Sequence, residues 1–270
     1  MSRTWTSSVL AAVLAVAAAC GDDAPAAVCQ GERLFGQPSA STGLGADQCG
    51  PSCTCQGEPW SPPAYGPADV AALKAWTLLD PPAEVTTDPY AEAAAPPPPP
   101  GELCGAQVDP VARTYRLATY ANAEALAAAG ARVTHAGACG VCSTCADLAV
   151  YMGQPDLTGP VRQCGVDHAG GEPAEHIACL QDLGFTLPCA QIWYFNTLNT
   201  RAECLAPCLF ALDQPYHLPD GSLNECLVCD EENSGPVFKA VAGRTRRNTG
   251  LATALCRPCT EVQPIVHAYE

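Results

Sequence analysis

The stretch THAGACGVCSTCADLAVYM, residues 134–152, carries three cysteines at three-residue spacing, Cys139, Cys142 and Cys145. It includes the end of the apolar segment ARVTH and leads into a run whose apolar residues share one helical face. The threonine and aspartate of TCAD have a spacing that resembles a capping box at a helix start. The stretch therefore predicts a strand, a cysteine-bearing loop and a helix, in that order.

The segments on either side predict the rest of the fold. VARTYRLATY is predicted to be a strand, ANAEALAAAG a helix with Asn122 as N-cap and Gly130 past its end, and ARVTH a second strand. This order predicts a parallel strand pair with a right-handed crossover. Residues 172–213 are predicted to be mostly helical with a kink at Pro207, GSLNECLVCDEENSG a loop, and PVFKAVAG a strand. We expect an α+β fold, a disulfide-rich domain with a small β-α-β element and several helices.

The first twenty residues predict export. Arg3 precedes an apolar run from Val9 to Ala19, and small residues precede Cys20, as in a secretory signal peptide. AAAC followed by GDD resembles a bacterial lipobox, with Ala17 where that signal usually has leucine. The resemblance implies that Cys20 is lipidated, and that the protein lies in the cell envelope and contacts the membrane only through this lipid. The alternative is an ordinary signal peptide that is cut after an alanine.

Export makes the cysteine count informative. Disulfides persist in oxidising compartments, so each of the 18 cysteines is expected to form one. Lipidation or removal of Cys20 leaves an odd number, and an odd number cannot all pair within one chain. One thiol is therefore predicted to be free, bound to a metal or bridged to another molecule.

Composition divides the mature chain into two parts. After a tether of residues 21–28, residues 29–91 form a cysteine- and proline-rich lobe with one helix in PADVAALKAW. Five consecutive prolines favour an extended linker at residues 92–101. Residues 102–270 hold enough apolar residues for one main disulfide-bonded α+β domain. Alternatively, the proline run is a loop inside a single domain whose cysteines are bridged across it.

The CGVC loop lies where thiol chemistry is favoured. A helix N-terminus supplies unpaired amides and partial positive charge, which lower the pKa of a thiol and attract anions. Cys139 or Cys142 is therefore a candidate catalytic nucleophile or redox group, and His135 a candidate base. Gly137 and Gly140 would let a ligand approach the backbone closely. The alternative is that these cysteines form structural disulfides with distant cysteines.

Metal binding is a further and less favoured alternative. CxxCxxC resembles part of a ferredoxin cluster run without its fourth cysteine. The CxxC motifs at 226/229 and 256/259 could form a two-knuckle zinc site, although the gap between them is longer than usual. Because export favours disulfides at these positions, no cofactor is predicted.

The charge distribution indicates which partners to expect. The net charge is −15 and the pI about 4.5, so the protein repels phosphate backbones and nucleic acid is not an expected partner. Against this background, GRTRRNTG contains Arg244, Arg246 and Arg247, and guanidinium groups bind carboxylate, sulfate or phosphate through a planar fork. These arginines are predicted to bind a small anionic ligand. In an extended segment only Arg244 and Arg246 would share a face. The alternative is surface ion pairs.

Two resemblances to known families add expectations. The strand, CxxC motif and helix from Tyr115 to Met152 resemble thioredoxin-like proteins, which implies disulfide exchange. The extra Cys145 and the lack of a tryptophan before the motif depart from that pattern. The segments YRLATYAN, VTHAGACGVCSTCADLAVYM, LGFTLPCAQIWYFNT and SGPVFKAVAGRTRRNTGL resemble an uncharacterised group of exported, cysteine-rich proteins. That resemblance implies that residues 102–270 are one unit and implies no reaction.

Two functions are consistent with these observations. The first is an exported, lipid-anchored protein in which the CGVC loop and the arginines form a thiol-based or anion-binding site for a small anionic ligand. The alternative is a non-catalytic cell-surface binding or structural lipoprotein whose cysteines all form structural disulfides. The chain contains no GxSxG, HExxH, phosphate-loop or GxGxxG motif, which argues against the common hydrolases and nucleotide enzymes. Whether the protein is an enzyme stays open at this point.

Overall fold

The computed structural model describes residues 29–92 and 99–269. The predicted signal peptide, Cys20, the tether and most of the proline run lie outside these residues. Within the two described ranges, no helix combines the length and the apolar character that a membrane span requires.

Nine strands and eight α-helices occur in the described residues. The strands are β1 Cys29–Gln30, β2 Leu34–Phe35, β3 Cys49–Gly50, β4 Cys53–Cys55, β5 Glu58–Trp60, β6 Thr77–Leu78, β7 Leu103–Asp109, β8 Thr114–Tyr120 and β9 Arg132–Ala136. The helices are α1 Pro67–Lys74, α2 Ala123–Ala128, α3 Cys145–Gly153, α4 Thr158–Asp167, α5 Pro173–Asp182, α6 Leu187–Phe210, α7 Glu225–Asn233 and α8 Gly235–Ala242. Together with eight disulfides, they confirm the predicted disulfide-rich α+β fold.

The main sheet corrects the predicted strand pairing. Its order is β6-β8-β7-β9, and β7 is antiparallel to both β8 and β9. β8 and β9 are therefore parallel, as predicted, but they are not neighbours because β7 lies between them. The segment LCGAQVD has weak strand propensity, with Gly105 at a position where a Cβ would lie 2.8 Å from the Tyr120 ring. Its pairing on both edges compensates for that weak propensity.

Two segments near the C-terminus are helices instead of the predicted strand and loop. PVFKAVAG lies in α8, which has Pro236 in its first turn and buries Phe238 and Ala242, four residues apart on one face. The valines favour a strand locally, but burial of this face decides the structure. GSLNECLVCDEENSG contains α7, whose N-cap Asn224 accepts a hydrogen bond from the Leu227 amide.

Helix α6 bends where the sequence predicts. The backbone of Cys204 leaves the helical region three residues before Pro207, which lacks an amide proton and crowds the carbonyl of the preceding turn. Two disulfides, Cys204–Cys229 and Cys208–Cys226, bind the end of α6 beyond the kink to α7. The direction of that segment is therefore fixed by covalent bonds.

The N-terminal lobe is cross-linked to the main domain. The disulfides Cys49–Cys256 and Cys53–Cys259 join the two, β6 pairs with β8, and α1 packs against α3. Cysteines before the proline run are thus bridged to cysteines after it. The largest core cluster takes many of its buried residues from α3 and α6, including Leu148, Ala149 and Ile192.

Candidate functional site

The three cysteines of the CGVCSTC loop are in different bonding states. Cys139 is bonded to Cys104 of β7, and Cys142 is bonded to Cys189 in the first turn of α6. Both sulfurs are occupied, so the prediction of a free thiol nucleophile at Cys139 or Cys142 is wrong. The two cysteines also do not bond to each other, as a thioredoxin-like CxxC pair would. The predicted odd thiol exists, and it is Cys145.

The free thiol of Cys145 is poorly placed for chemistry. Cys145 is the first residue of α3 and is 2% exposed, and its amide donates to Tyr115 Oη at 2.8 Å. Burial raises the pKa of the Cys145 thiol to about 11, against a smaller lowering by the hydrogen bond to Tyr115. Because the thiolate is the reactive form, a buried thiol that stays protonated at neutral pH is unreactive.

The candidate base His135 is fully buried and hydrogen-bonded on both ring nitrogens. Nδ1 lies 2.9 Å from the Ala136 carbonyl, which can only accept, so Nδ1 carries the proton. Nε2 therefore accepts from Ser143 Oγ at 2.7 Å, and the Gly140 amide donates to the same hydroxyl at 2.8 Å. Burial, and then the charge of Arg244, lower the pKa of His135 well below its usual value. His135 is a neutral structural group and has no thiol to activate.

The backbone space that a ligand was expected to use is filled by the chain itself. A Cβ on Gly140 would lie 2.3 Å from the Val241 carbonyl oxygen, and Gly243 approaches the same point with a φ of +70°. The Val141 amide donates to the Val241 carbonyl at 3.0 Å. The end of α8 is thus docked on the CGVC loop, and two glycines allow this close contact.

Arg244 enters the same region as a buried structural residue. It is 0% exposed, and its guanidinium donates to four acceptors. These are Thr134 O at 2.9 Å, Thr134 Oγ1 at 2.9 Å, Cys142 O at 3.0 Å and Ser143 O at 3.1 Å. The predicted convergence of the arginine segment and the CGVC loop is real for Arg244. Its predicted role in ligand binding is wrong, because the side chain is fully buried and its guanidinium donates to four acceptors of the protein itself.

Asp147 has a role that the sequence revealed only in part. As predicted from the capping spacing, Thr144 is the N-cap of α3 and accepts from the Asp147 amide at 3.0 Å. The Asp147 carboxylate also accepts from the Thr186 amide at 2.8 Å, which joins the start of α3 to the start of α6. Burial raises the pKa of Asp147, while the hydrogen bonds from Thr144 and Thr186 lower it. The contact to Thr186 is long-range and left no local sequence signal.

Arg246 and Arg247 form the ion pairs of the alternative interpretation. Arg246 is paired with Glu231, Arg247 with both Glu231 and Glu261, and Lys239 Nζ lies 3.9 Å from Glu231. Burial raises the pKa of Glu231, but Arg246, Arg247 and Lys239 together lower it below its ordinary value. The segment is a turn and not an extended strand, so the predicted shared face of Arg244 and Arg246 does not form.

A small cavity of about 50 Å³ adjoins this charge cluster. Tyr151 Oη and Trp193 Nε1 both belong to residues that line it, and both are buried without a hydrogen-bond partner. Arg246 and Asp230 also line the cavity. A space of this size accommodates water or a small group, because one water needs at least about 10–15 Å³ of such volume.

A larger groove of about 380 Å³ lies beside this cavity, walled by α4, α6 and α7. Four of its apolar side chains are about half exposed: Val166 55%, Leu205 51%, Leu209 58% and Leu212 49%. Three arginines also line it: Arg162, Arg201 and Arg246. The groove and the small cavity share Trp193, Asn196, Asp230 and Arg246, so they adjoin each other. Sequence reasoning missed this site, because its residues come from three helices.

The cysteines of the alternative zinc site are also in disulfides. Cys226 and Cys229 are bonded to α6, and Cys256 and Cys259 to the N-terminal lobe. That interpretation is therefore wrong. Across residues 29–92 and 99–269, no group of three or more histidine, cysteine, aspartate or glutamate side chains is arranged to hold a metal ion.

Comparison with known proteins assigns no activity. A family model described as a family of unknown function (DUF8771) matches residues 173–265, which is less than half of the chain. The matched part runs from the start of α5 through α6, α7 and the GRTRRNTG segment, and it leaves out α4, the third helix of the groove. No curated protein matches the chain, and no solved structure matches it.

Proposed function

We propose that this protein is an exported, lipid-anchored binding protein without catalytic activity, whose cysteines form structural disulfides. The observation that carries the proposal is the bonding state of the cysteines. Eight disulfides use all the cysteines of the described residues except Cys145, which is buried. So many disulfides indicate an oxidising compartment, and they leave no accessible thiolate for nucleophilic or redox chemistry.

We place the anionic ligand in the groove between α4, α6 and α7 and not at the CGVC loop. That loop is filled by the end of α8 and by Arg244, whereas the groove between α4, α6 and α7 is open and lined by arginines. Small-molecule sites are typically concave, mostly apolar and supplied with a few polar groups. The groove has this character, which supports a binding role over a purely structural one.

A thiol count tests the absence of thiol chemistry. The exported chain would be alkylated in the native state and again after denaturation without reduction, and the label located by peptide mapping. We expect no label in the native protein and one label, on Cys145, after unfolding. A native-state label on Cys139 or Cys142 would restore the thiol-enzyme hypothesis and overturn this proposal.

The anchor is tested by fractionating cells that express the Cys20→Ser variant. We expect the wild-type protein in the membrane fraction and the variant outside it, because lipidation of Cys20 would be lost. Cys145→Ser is the matched control and should stay with the membrane. Equal membrane association of both variants would contradict the lipid anchor.

A further inference from the structure

The groove between α4, α6 and α7 is polarised along α6. Before the kink, α6 contributes Trp193 and then a run of polar lining residues, Asn196, Thr197, Thr200 and Arg201. Beyond the kink, Leu205 and Leu209 of α6 line it one turn apart, followed by Leu212 in the turn after the helix. The helical rise from Arg201 to Leu209 is about 12 Å at 1.5 Å per residue, and the kink at Cys204 lies between the two residues. One elongated ligand can therefore touch a polar and an apolar region at once.

Two arginines give the groove uncompensated positive charge. Within the described residues, neither Arg162 nor Arg201 forms an ion pair with a carboxylate, and Arg201 donates only to the Gly165 carbonyl. The one acidic lining residue is Asp230, which is hydrogen-bonded to Thr200 and Asn196 and whose pKa is raised by burial. The net charge of the chain is −15. A groove whose lining has more arginines than acidic residues stands out against that charge and favours an anionic ligand.

The apolar half of the groove is held open by covalent bonds. An isolated helix end with three exposed leucines would gain stability by folding onto neighbouring apolar surface. The disulfides Cys204–Cys229 and Cys208–Cys226 prevent this by fixing the end of α6 on α7. The groove is thus largely preformed, which lowers the entropic cost of binding.

Size and wall structure select the class of ligand. The volume of about 380 Å³ lies in the range of small-molecule sites, roughly 300–1,000 Å³. The walls are helices whose backbone groups are bonded internally, so the groove has no strand edge to which an extended peptide could add. These features favour a small amphiphile over a peptide.

We propose that this groove binds a single-chain anionic amphiphile of the fatty-acid class. The carboxylate lies at the polar half near Arg162 and Arg201, and the alkyl chain lies along Leu205, Leu209 and Leu212. The inference rests on the proposed binding function and names its ligand class. It does not depend on the lipid anchor.

The test is calorimetric titration of the disulfide-intact exported protein with dodecanoate below its micelle concentration. Dodecanol serves as the neutral probe with the same tail. We expect one dodecanoate per chain and binding of dodecanol at least about tenfold weaker, because a charge-assisted hydrogen bond is worth more than about 1.4 kcal/mol. The R162Q/R201Q variant should lose this preference and leave dodecanol binding unchanged.

Leu209→Asp tests the tail, and Val111→Asp is its control. Both leucine and valine are exposed, 58% and 95%, so neither change should disturb folding. We expect at least about a tenfold loss of dodecanoate binding in L209D and none in V111D. Three results would overturn the inference: no dodecanoate binding, equal losses in both variants, or a wild-type dimer that L209D converts to a monomer. None of these would expose a native thiol, so they are distinguishable from failure of the proposed function.

Discussion

The CGVC loop and the groove between α4, α6 and α7 each combine arginine with two flanking disulfides, but only the loop is filled by its own chain. At the loop, every donor shown for the Arg244 guanidinium meets an oxygen of the protein, and the backbone at Gly243 touches Gly140. At the groove, Arg201 has one carbonyl partner and the leucines beyond it face solvent. Residue type alone therefore does not distinguish a structural arginine from a ligand-binding one. The neighbouring chain segments do.

The largest expected effect is the difference in stability between a variant of Arg244 and a variant of Arg201. Arg244→Met leaves three buried carbonyls and the Thr134 hydroxyl without their donor, so we expect a loss of about 3–5 kcal/mol in the free energy of unfolding. Arg201→Met removes one bond at a partly buried site and should cost about 1 kcal/mol or less. Urea unfolding with intact disulfides measures both. Similar losses of unfolding free energy in the two variants would show that Arg201 is as important for stability as Arg244.

A smaller loss of stability is expected from adding a side chain at Gly140, where the end of α8 docks on the CGVC loop. Gly140→Ala places a Cβ 2.3 Å from the Val241 carbonyl oxygen, against backbone that is hydrogen-bonded in place, and should cost about 3 kcal/mol. Gly153→Ala is the control, because its Cβ would meet only Val70 at 3.8 Å near the end of α3. We expect the control to be neutral or slightly stabilising. If G140A unfolds at the same urea concentration as wild type, α8 does not dock on the loop as described.

The smallest expected effect is a change with pH in the stability that His267 contributes. His267 donates to the Thr249 carbonyl at 2.8 Å, and burial, followed by the charge of Arg244, lowers its pKa to about 4. An unfolded histidine takes up a proton near pH 6.5, so the wild type loses stability as pH falls between these values. Glutamine does not titrate. The stability advantage of wild type over His267→Gln should therefore shrink by about 1–2 kcal/mol between pH 7 and pH 5. A difference that stays constant with pH would contradict a buried neutral His267.

The fold was predictable where the signals are local. The capping spacing at Thr144, the kink at Pro207 and the strand–loop–helix order around the CGVC loop are confirmed, because each depends on residues within one or two turns. The odd thiol was predicted from parity once Cys20 was set aside, and Cys145 is unpaired among the described residues. By contrast, β7 was missed and α8 was predicted as a strand, because pairing partners and burial overrode local propensity there.

The sequence predicted which segments come together at the CGVC loop, but not what they do there. It predicted that the GRTRRNTG segment and the CGVC loop come together, and Arg244 does donate a hydrogen bond to the Cys142 carbonyl. It could not indicate that the contact between Arg244 and the loop is buried, or that the protein itself uses the guanidinium donors. Burial depends on where α8 ends relative to β9. The groove depends on the disulfides that hold α6 to α7, and the pairing of cysteines is not encoded in their spacing.

The twin disulfides between the N-terminal lobe and the C-terminal segment have a consequence for proteolysis. A single cut anywhere between residues 56 and 103 produces two fragments that Cys49–Cys256 and Cys53–Cys259 still join. If lipid at Cys20 anchors the chain as proposed, a protease acting on the proline run would not shed the main domain from the membrane. Release would require reduction of both bonds as well as cleavage. The nicked protein would migrate as one species without reductant and as two with it.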